Sequence, residues 1–381
     1  MPAYLDHNAT APLEATVLEA MLPYLREHFG NPSSVHRHGR RARAAIDGAR
    51  EQVAALVNAH PSQVVFTSGG TEANNLAIKG VAASHRPGRI LIGVTEHPSV
   101  VESAESLIEN GWQVERLPVD REGMLQRDAL ITQARKGAAL MSVMYANNET
   151  GAVQDVAAVA EIARANGALL HTDAVQAAGK LPLDFGACGA HLLSMSAHKI
   201  GGPKGVGALI ADKAVELNPL LHGGGQEKER RSGTENVAGI VGFGAAAALV
   251  QERLAAYSLR VARLREQLEN GLRALEGIEI FSQQARRVPN TSCFGVHGMD
   301  GETLVLNLDR QGFAVSSGSA CASGSTDPSP VLLAMGVDRE LARGGLRVSL
   351  GWSNTEADVE AFLAAFAKVL AGRQARVAAN A

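Results

Sequence analysis

From Ser62 onward the chain alternates between short apolar runs and longer amphipathic stretches. QVVFTSG reads as a strand and TEANNLAIKGVAAS as the helix behind it. The pairing repeats in RILIGV with VVESAESLIENG, QVERLPV with RDALITQARKG, and AALMSVMY with DVAAVAEIARANG. The strands ALLHTD, HLLSMSA and VGALIA follow. Strands alternating with helices of this length predict βαβ units and a mostly parallel sheet covered on both faces. In open sheets of this kind ligands bind beyond the carboxyl ends of the strands, so the loops after those ends carry the candidate chemistry.

After about Val250 the pattern changes. ERLAAYSLRVARLREQLENGLRALEG predicts one long, charged, periodic helix. The alanine-rich GIVGFGAAAALV before it reads as a separate, shorter buried helix. Short strands and helices follow, ending in TEADVEAFLAAFAKVLAGR, with Thr355 as its N-cap, acidic residues in its first turn and GRQARVAANA as a tail. The long helix reads as the link between two domains. Residues 14–255 are expected to form a large α/β domain, and residues 1–13 with 256–381 a smaller α+β domain.

The 381 residues are 46% hydrophobic, enough for two buried cores. A net charge of -3 gives no reason to expect nucleic acid or an anionic membrane as partner. The basic run from Arg37 to Arg50 is interleaved with alanines and reads as a solvated helix face. Cys188, Cys293 and Cys321 are odd in number and far apart, so neither a disulfide framework nor a zinc site is expected. The opening MPAYLDHNATAP has no cationic start followed by an apolar stretch, and no uninterrupted apolar run reaches the ~20 residues of a membrane helix. These features together predict a reduced, cytoplasmic protein.

In FTSGGTEANN a strand ends, two glycines follow, and Thr71 opens a helix whose free N–H groups suit a phosphate; an ordinary turn with Thr71 as N-cap has the same pattern. In LLHTDAVQAAGK, Asp173 ends a strand, with Gln176 three residues on. A carboxylate there needs a cation or a donor, or caps the next helix. In LLSMSAHKIGGPKGVGALI, Lys199 follows an apolar strand with Ser196 and His198 beside it as short donors, and burial there favours Schiff-base chemistry. Lys204 fits the role of a solvent-facing turn lysine better. TEHPSV adds His97 just after a strand, a position also open to an ordinary loop residue. A lysine for an aldehyde, a carboxylate for a pyridine nitrogen, a phosphate cup and an imidazole for a ring face together suit pyridoxal phosphate.

With YLDHNATAP, HFGNPSS, YANNETGAVQ, GGGQEKERRSGTEN, SSGSACASGS and LRVSLG in order around those stretches, the chain closely resembles the group I, NifS/IscS-like cysteine desulfurases over almost its whole length. The resemblance implies the aspartate-aminotransferase-like fold, fold type I, with a mostly parallel seven-stranded sheet, a homodimer, pyridoxal phosphate, and sulfur removal from L-cysteine. Carried over by position, Lys199 holds the cofactor aldehyde, Asp173 pairs with the ring nitrogen, Gln176 reaches the phenolic oxygen and His97 stacks on the ring. Gly70 and Thr71 hold the phosphate with Ser196 and His198, and Thr234 reaches the phosphate of the neighbouring subunit. Asn148 lies near cofactor and substrate, Arg347 clamps the substrate carboxylate, and Cys321 takes the sulfur as a persulfide for an acceptor such as an iron–sulfur scaffold.

The chain reads DHNATA where the family reads DNNATT, so His7 and Ala11 depart from it, as does Ala322 beside Cys321. Cys188 and Cys293 match no catalytic role, and Cys293 in NTSCFGV reads as a core strand residue. A selenocysteine lyase or an aminotransferase on the same fold is the alternative enzyme. The small residues around Cys321 argue against an aminotransferase, which needs no thiol. Retention of Lys199, Asp173, His97 and Cys321 together argues against a non-catalytic sulfur-partner protein.

Overall fold

A computed structural model describes residues 3–318 and 327–380, with side chains for all of these except 373–380. The strands are β1 (Ala3–Tyr4), β2 (Val64–Thr67), β3 (Arg89–Gly93), β4 (Gln113–Leu117), β5 (Leu140–Ser142), β6 (Leu169–Asp173), β7 (Leu192–Ser196), β8 (Gly207–Ala211), β9 (Ile278–Ile280), β10 (Thr291–Val296), β11 (Phe313–Ala314), β12 (Ser316–Ser317) and β13 (Gly345–Ser349). A seven-stranded sheet takes the order β2-β8-β7-β6-β5-β3-β4. Its pairs are parallel except where β8 lies antiparallel to β2 and to β7.

The strands read as near-continuous apolar runs because the pleat sends successive residues into two different cores. Leu91, Leu193 and Ile210 enter one core; Ile90, Ile92, Leu192 and Leu209 enter the other. One polar ladder crosses this apolar sheet. His171 of β6 shares its Nδ1 with Ser142 Oγ at 2.8 Å on β5 and its Nε2 with Ser194 Oγ at 2.9 Å on β7. Burial pushes that imidazole down to about 4, although Asp173 nearby acts against it.

A second body holds its own core. The antiparallel sheet β12-β13-β10-β9 packs with the helices Gly301–Asp309 and Glu356–Asn380 around Phe294, Leu304, Phe362 and Phe366. The N-terminal segment belongs here through Ala3 and Leu5, and β1 pairs in parallel with β11. Cys293 of β10 is fully buried, as a core strand residue should be.

Two helix expectations change. The alanine-rich stretch and the charged stretch form one helix, Val237–Arg273. Ile240 and Phe243 pack into the first body, and Leu264 and Leu268 into the second. The shift in composition marks a change of neighbours, not a break, because neither proline nor a glycine cap stands between the halves. This helix is long and apolar enough in length and composition to cross a membrane, but its apolar part is core. The C-terminal helix also continues through the expected tail to Asn380, since RQARVAAN offers only good or neutral helix formers. Its start is as expected: Thr355 Oγ1 accepts from Asp358 N–H at 3.3 Å, and Asp358 Oδ2 from Thr355 N–H at 2.9 Å.

The run from Arg37 lies on helix Arg37–Leu56, whose Ala42, Ile46, Ala49 and Val53 face the core. Arg50 is not solvated with the rest. It forms two hydrogen bonds with Glu227, at 2.6 and 2.8 Å.

Candidate active site

The carboxyl ends of the parallel strands open onto one cavity of about 510 Å³. Gly70 and Thr71 reach it after β2, His97 after β3, Asn148 after β5, Asp173 and Gln176 from β6, and Ser196, His198 and Lys199 from β7. Asp6, Asn8, Arg347 and the end of β12 close it from the other body. One expected site residue stands apart. Thr234 is exposed just before helix Val237–Arg273 and does not line the cavity. Cys321 lies outside the described residues.

At the β2 end the helix begins at Gly70 with Gly69 as its N-cap, so Thr71 is not the cap. The first backbone bond runs from Ala73 N–H to Gly69 O at 3.1 Å, which leaves the amides of Gly70, Thr71 and Glu72 without helical partners. A side chain at Gly70 would stand 2.8 Å from Val175 Cγ2. The turn is tied down by Glu72, whose carboxylate accepts from Ser68 N–H at 2.7 Å and pairs with Arg231 at 2.9 Å. Opposite lie the buried Ser196 and the half-buried His198, whose Nδ1 meets Thr10 Oγ1 at 3.1 Å. Burial, with Lys199 and Lys204 adding to it, holds His198 down at about 4, so it enters as a neutral ring. Free amides, hydroxyls and a helix N-terminus form the donor set of a phosphate site.

Asp173 is buried at the end of β6. Its Oδ2 accepts from Asn74 Nδ2 at 2.7 Å and its Oδ1 from Val175 N–H at 2.9 Å. The second bond is a local turn, not a helix cap, because residues 174–180 are not helical. Asn74 also donates to Ser99 Oγ at 2.8 Å. The Ser99 N–H reaches His97 Nδ1 at 3.1 Å, and the Ser99 hydroxyl lies 2.7 Å from the same atom. Because Nδ1 accepts, the hydrogen-bond network assigns the His97 proton to Nε2. Burial lowers the His97 pKa against the pull of Asp173, and Lys199 lowers it further.

Lys199 Nζ donates to the carbonyls of Asn8 at 2.6 Å and Ala9 at 2.8 Å. Arg347 is buried; its Nη2 meets Asp6 Oδ1 at 2.7 Å and its Nη1 the Asn148 carbonyl at 2.9 Å. Its Nε is buried without a hydrogen-bond partner among the described residues. A buried guanidinium edge with a donor to spare suits a planar carboxylate.

Beside it, Glu149 accepts from Ser329 Oγ at 2.5 Å, and burial raises its carboxyl to about 7 in spite of that bond and of Arg347. The folded chain therefore keeps a proton that the unfolded chain releases between about pH 4.5 and 7, so this group costs stability as pH rises through that window. Glu149→Gln should flatten the decline by up to about 3 kcal/mol between pH 5 and pH 8. Urea unfolding at both values measures it, and an unchanged difference between wild type and variant would refute the assignment.

Several residues that line the cavity carry no assignment from sequence, Asp6, Asn8, Asn74, Ser99 and Glu149, and neither does Lys180 behind it. All lie inside motifs already quoted, LDHNATAP, GGTEANN, TEHPSV, NNETG and DAVQAAGK. Their roles depend on partners up to 341 residues away, as in Arg347 with Asp6.

The donor set and charges of the cavity fit pyridoxal phosphate: an N-terminal cup of free amides, a twice-bonded carboxylate, a neutral imidazole and a lysine at one rim. The family model for class-V aminotransferases matches residues 3–362. The chain is 43% identical to a protein named cysteine desulfurase IscS from Dictyoglomus turgidum, over 93% of this chain and 91% of that one. Its fold matches a solved NifS-like protein with a TM-score of 0.92 and 38% identity, over 97% of this chain and all of that one. It also matches a structure described as SspA in complex with cysteine, with a TM-score of 0.80 and 32% identity, over 91% of this chain and 98% of that one.

Proposed function

Because the chain belongs to the class-V aminotransferase family, a family that uses pyridoxal phosphate, we propose that it is a cysteine desulfurase: it takes sulfur from L-cysteine and releases L-alanine. The observation that carries this reading is the convergence of Lys199, Asp173, His97 and Arg347 on one cavity at the strand ends.

Lys199 would hold the cofactor aldehyde, Asp173 its ring nitrogen, Gln176 its phenolic oxygen, and the Gly70–Thr71 turn with Ser196 and His198 its phosphate. When bound, the cofactor supplies an electron sink for bond changes at the substrate's Cα and Cβ. Asp173, fixed by Asn74 and Val175, would pair through its carboxylate with the ring nitrogen. Arg347 orients the substrate through its carboxylate, with Asn148 beside it. The Lys199 amine would be placed to move the Cα proton. His97, neutral with its proton on Nε2, offers a donor to the same space.

Cys321 is the proposed sulfur acceptor. Its thiolate attacks the substrate sulfur: an S–S bond forms, the C–S bond breaks, and the electron pair stays on the three-carbon fragment. That fragment takes up one proton, matching the one Cys321 gave up, and leaves as alanine. The persulfide then passes to an acceptor protein such as an iron–sulfur scaffold. A homodimer is part of the proposal. Phe29 and Val35 are 82% and 86% exposed, apolar surface that a second copy would cover, and Thr234 stands exposed where it can serve a neighbouring subunit. Cys188 and Cys293 are free thiols, in keeping with a reducing, cytoplasmic setting.

The test compares wild type with Cys321→Ser. Wild type should release alanine and sulfide from L-cysteine. The variant should keep the visible absorption of its bound cofactor and lose at least about a hundredfold in turnover, as expected when a nucleophile is removed. Equal turnover would overturn the persulfide route and favour a lyase acting on selenocysteine.

A further inference from the structure

Lys180 is 3% exposed and lies just behind the cavity. Gly179, at φ +72°, turns the chain inward to it, and a side chain at Gly179 would stand 2.8 Å from Ile200 Cγ2. The Lys180 Nζ donates to Gln176 Oε1 at 2.6 Å and to Asn8 Oδ1 at 2.7 Å. Both partners are neutral amides. The charged groups facing Lys180 are Lys199 and Arg347, with His7 also within its field. A lysine buried among cations and without a carboxylate partner among the described residues is costly to keep. Its burial and those two cations push its pKa well below the ordinary lysine range.

The amide chemistry shows what this arrangement accomplishes. A lysine, charged or neutral, meets an amide oxygen as donor. The oxygen of Gln176 faces Lys180, and its NH₂ group faces away. One of those N–H bonds goes to the Asn8 carbonyl at 2.9 Å. The other is left for the cavity that Gln176 lines. Asn8 is oriented in the same way. Its Oδ1 accepts from Lys180 and from Asn290 Nδ2 at 3.2 Å, so its own Nδ2 turns to Thr291 Oγ1 at 2.9 Å and the Asn148 carbonyl at 3.2 Å. Asn8 O is in turn an acceptor for Lys199.

We propose that Lys180 is a positioning residue that fixes the Gln176 amide with a donor toward the cofactor's phenolic oxygen. The inference rests on the reading of the cavity as a pyridoxal phosphate site. Without Lys180 only the Asn8 carbonyl still orients the amide, which can then turn over and present its oxygen instead, and that oxygen would repel an anionic phenolic oxygen. A donor held there withdraws charge from that oxygen and disfavours protonation of the neighbouring cofactor nitrogen.

The experiment uses holoenzyme and follows the visible absorption of the bound cofactor against pH. In Lys180→Met the midpoint should rise by about one pH unit. Gln176→Leu should rise by the same amount, and the double variant should add nothing further, because the two act as one unit. An unmoved midpoint in Lys180→Met, or shifts that add in the double variant, would overturn the proposal. If Lys180→Met does not fold, Lys180→Gln takes its place and is read in the same way, alone and combined with Gln176→Leu. Failure of wild type to take up pyridoxal phosphate at all overturns the site reading and this inference with it. Uptake with unmoved midpoints overturns the inference alone.

Discussion

Lys199→Ala should leave a folded protein that neither attaches pyridoxal phosphate covalently nor turns over L-cysteine, with a loss of at least about 10⁴-fold in rate. The structural cost is small by comparison. The variant strips donors from the Asn8 and Ala9 carbonyls, a penalty on the order of 1–3 kcal/mol, and water can reach the half-open rim where they lie. The measurement is borohydride reduction followed by peptide mass analysis. Wild type should carry the cofactor mass on the peptide containing Lys199, and the variant on none. The informative alternative is attachment at Lys180, the other lysine of this cluster, whose amine is held by Asn8 and Gln176. Cofactor found there in the wild type would show that the lysine roles are reversed.

Arg347→Leu carries the second largest effect. The guanidinium is buried and already held at two points, by Asp6 and by the Asn148 carbonyl, so it needs no reorganisation to receive a carboxylate. Losing a charge-assisted, preorganised contact of this kind should lower kcat/KM for L-cysteine by about 10³-fold. Asp6 would also be left without its cation, which adds a stability cost of a few kcal/mol at most, since its side chain is 19% exposed. The discriminating control is cysteamine, which has the thiol and amine of cysteine but no carboxylate. Its binding to the holoenzyme should be nearly unchanged by Arg347→Leu. Equal losses for cysteine and cysteamine would mean that Arg347 supports the fold of the site rather than the substrate. Arg347→Lys should recover only part of the activity, because an ammonium cannot replace both bonds of the planar fork.

The strand ends that carry the chemistry were legible in the sequence. Seven apolar runs with helical stretches between most of them imply an open sheet, and the polar residues just after Phe66, Val94, Leu170 and Met195 had to lie at its carboxyl edge. The helix Val237–Arg273 was legible as two pieces because its composition follows the body each half faces. Lys180 lies four residues after Gln176, but the backbone between them is a turn, so no helical periodicity announced their contact. Glu149 and Asn74 were inside quoted motifs, and the groups that give them meaning, Ser329 and Asp173, lie 180 and 99 residues away.

By itself, then, the sequence determined the class of fold and singled out the lysine, the carboxylate and the Cys321 thiol proposed to carry the chemistry. These are local matters: a residue type, its neighbours and the period of the pattern around it. The tertiary structure alone decided how those groups are oriented. It turned the Gln176 amide, assigned the His97 proton to Nε2, set Asp6 on Arg347, and placed one asparagine, Asn8, between Lys180, Lys199 and Asn148. The reason is physical. Orientation comes from donors and acceptors that meet only when segments distant in the chain are buried together, and a buried polar group must find such partners.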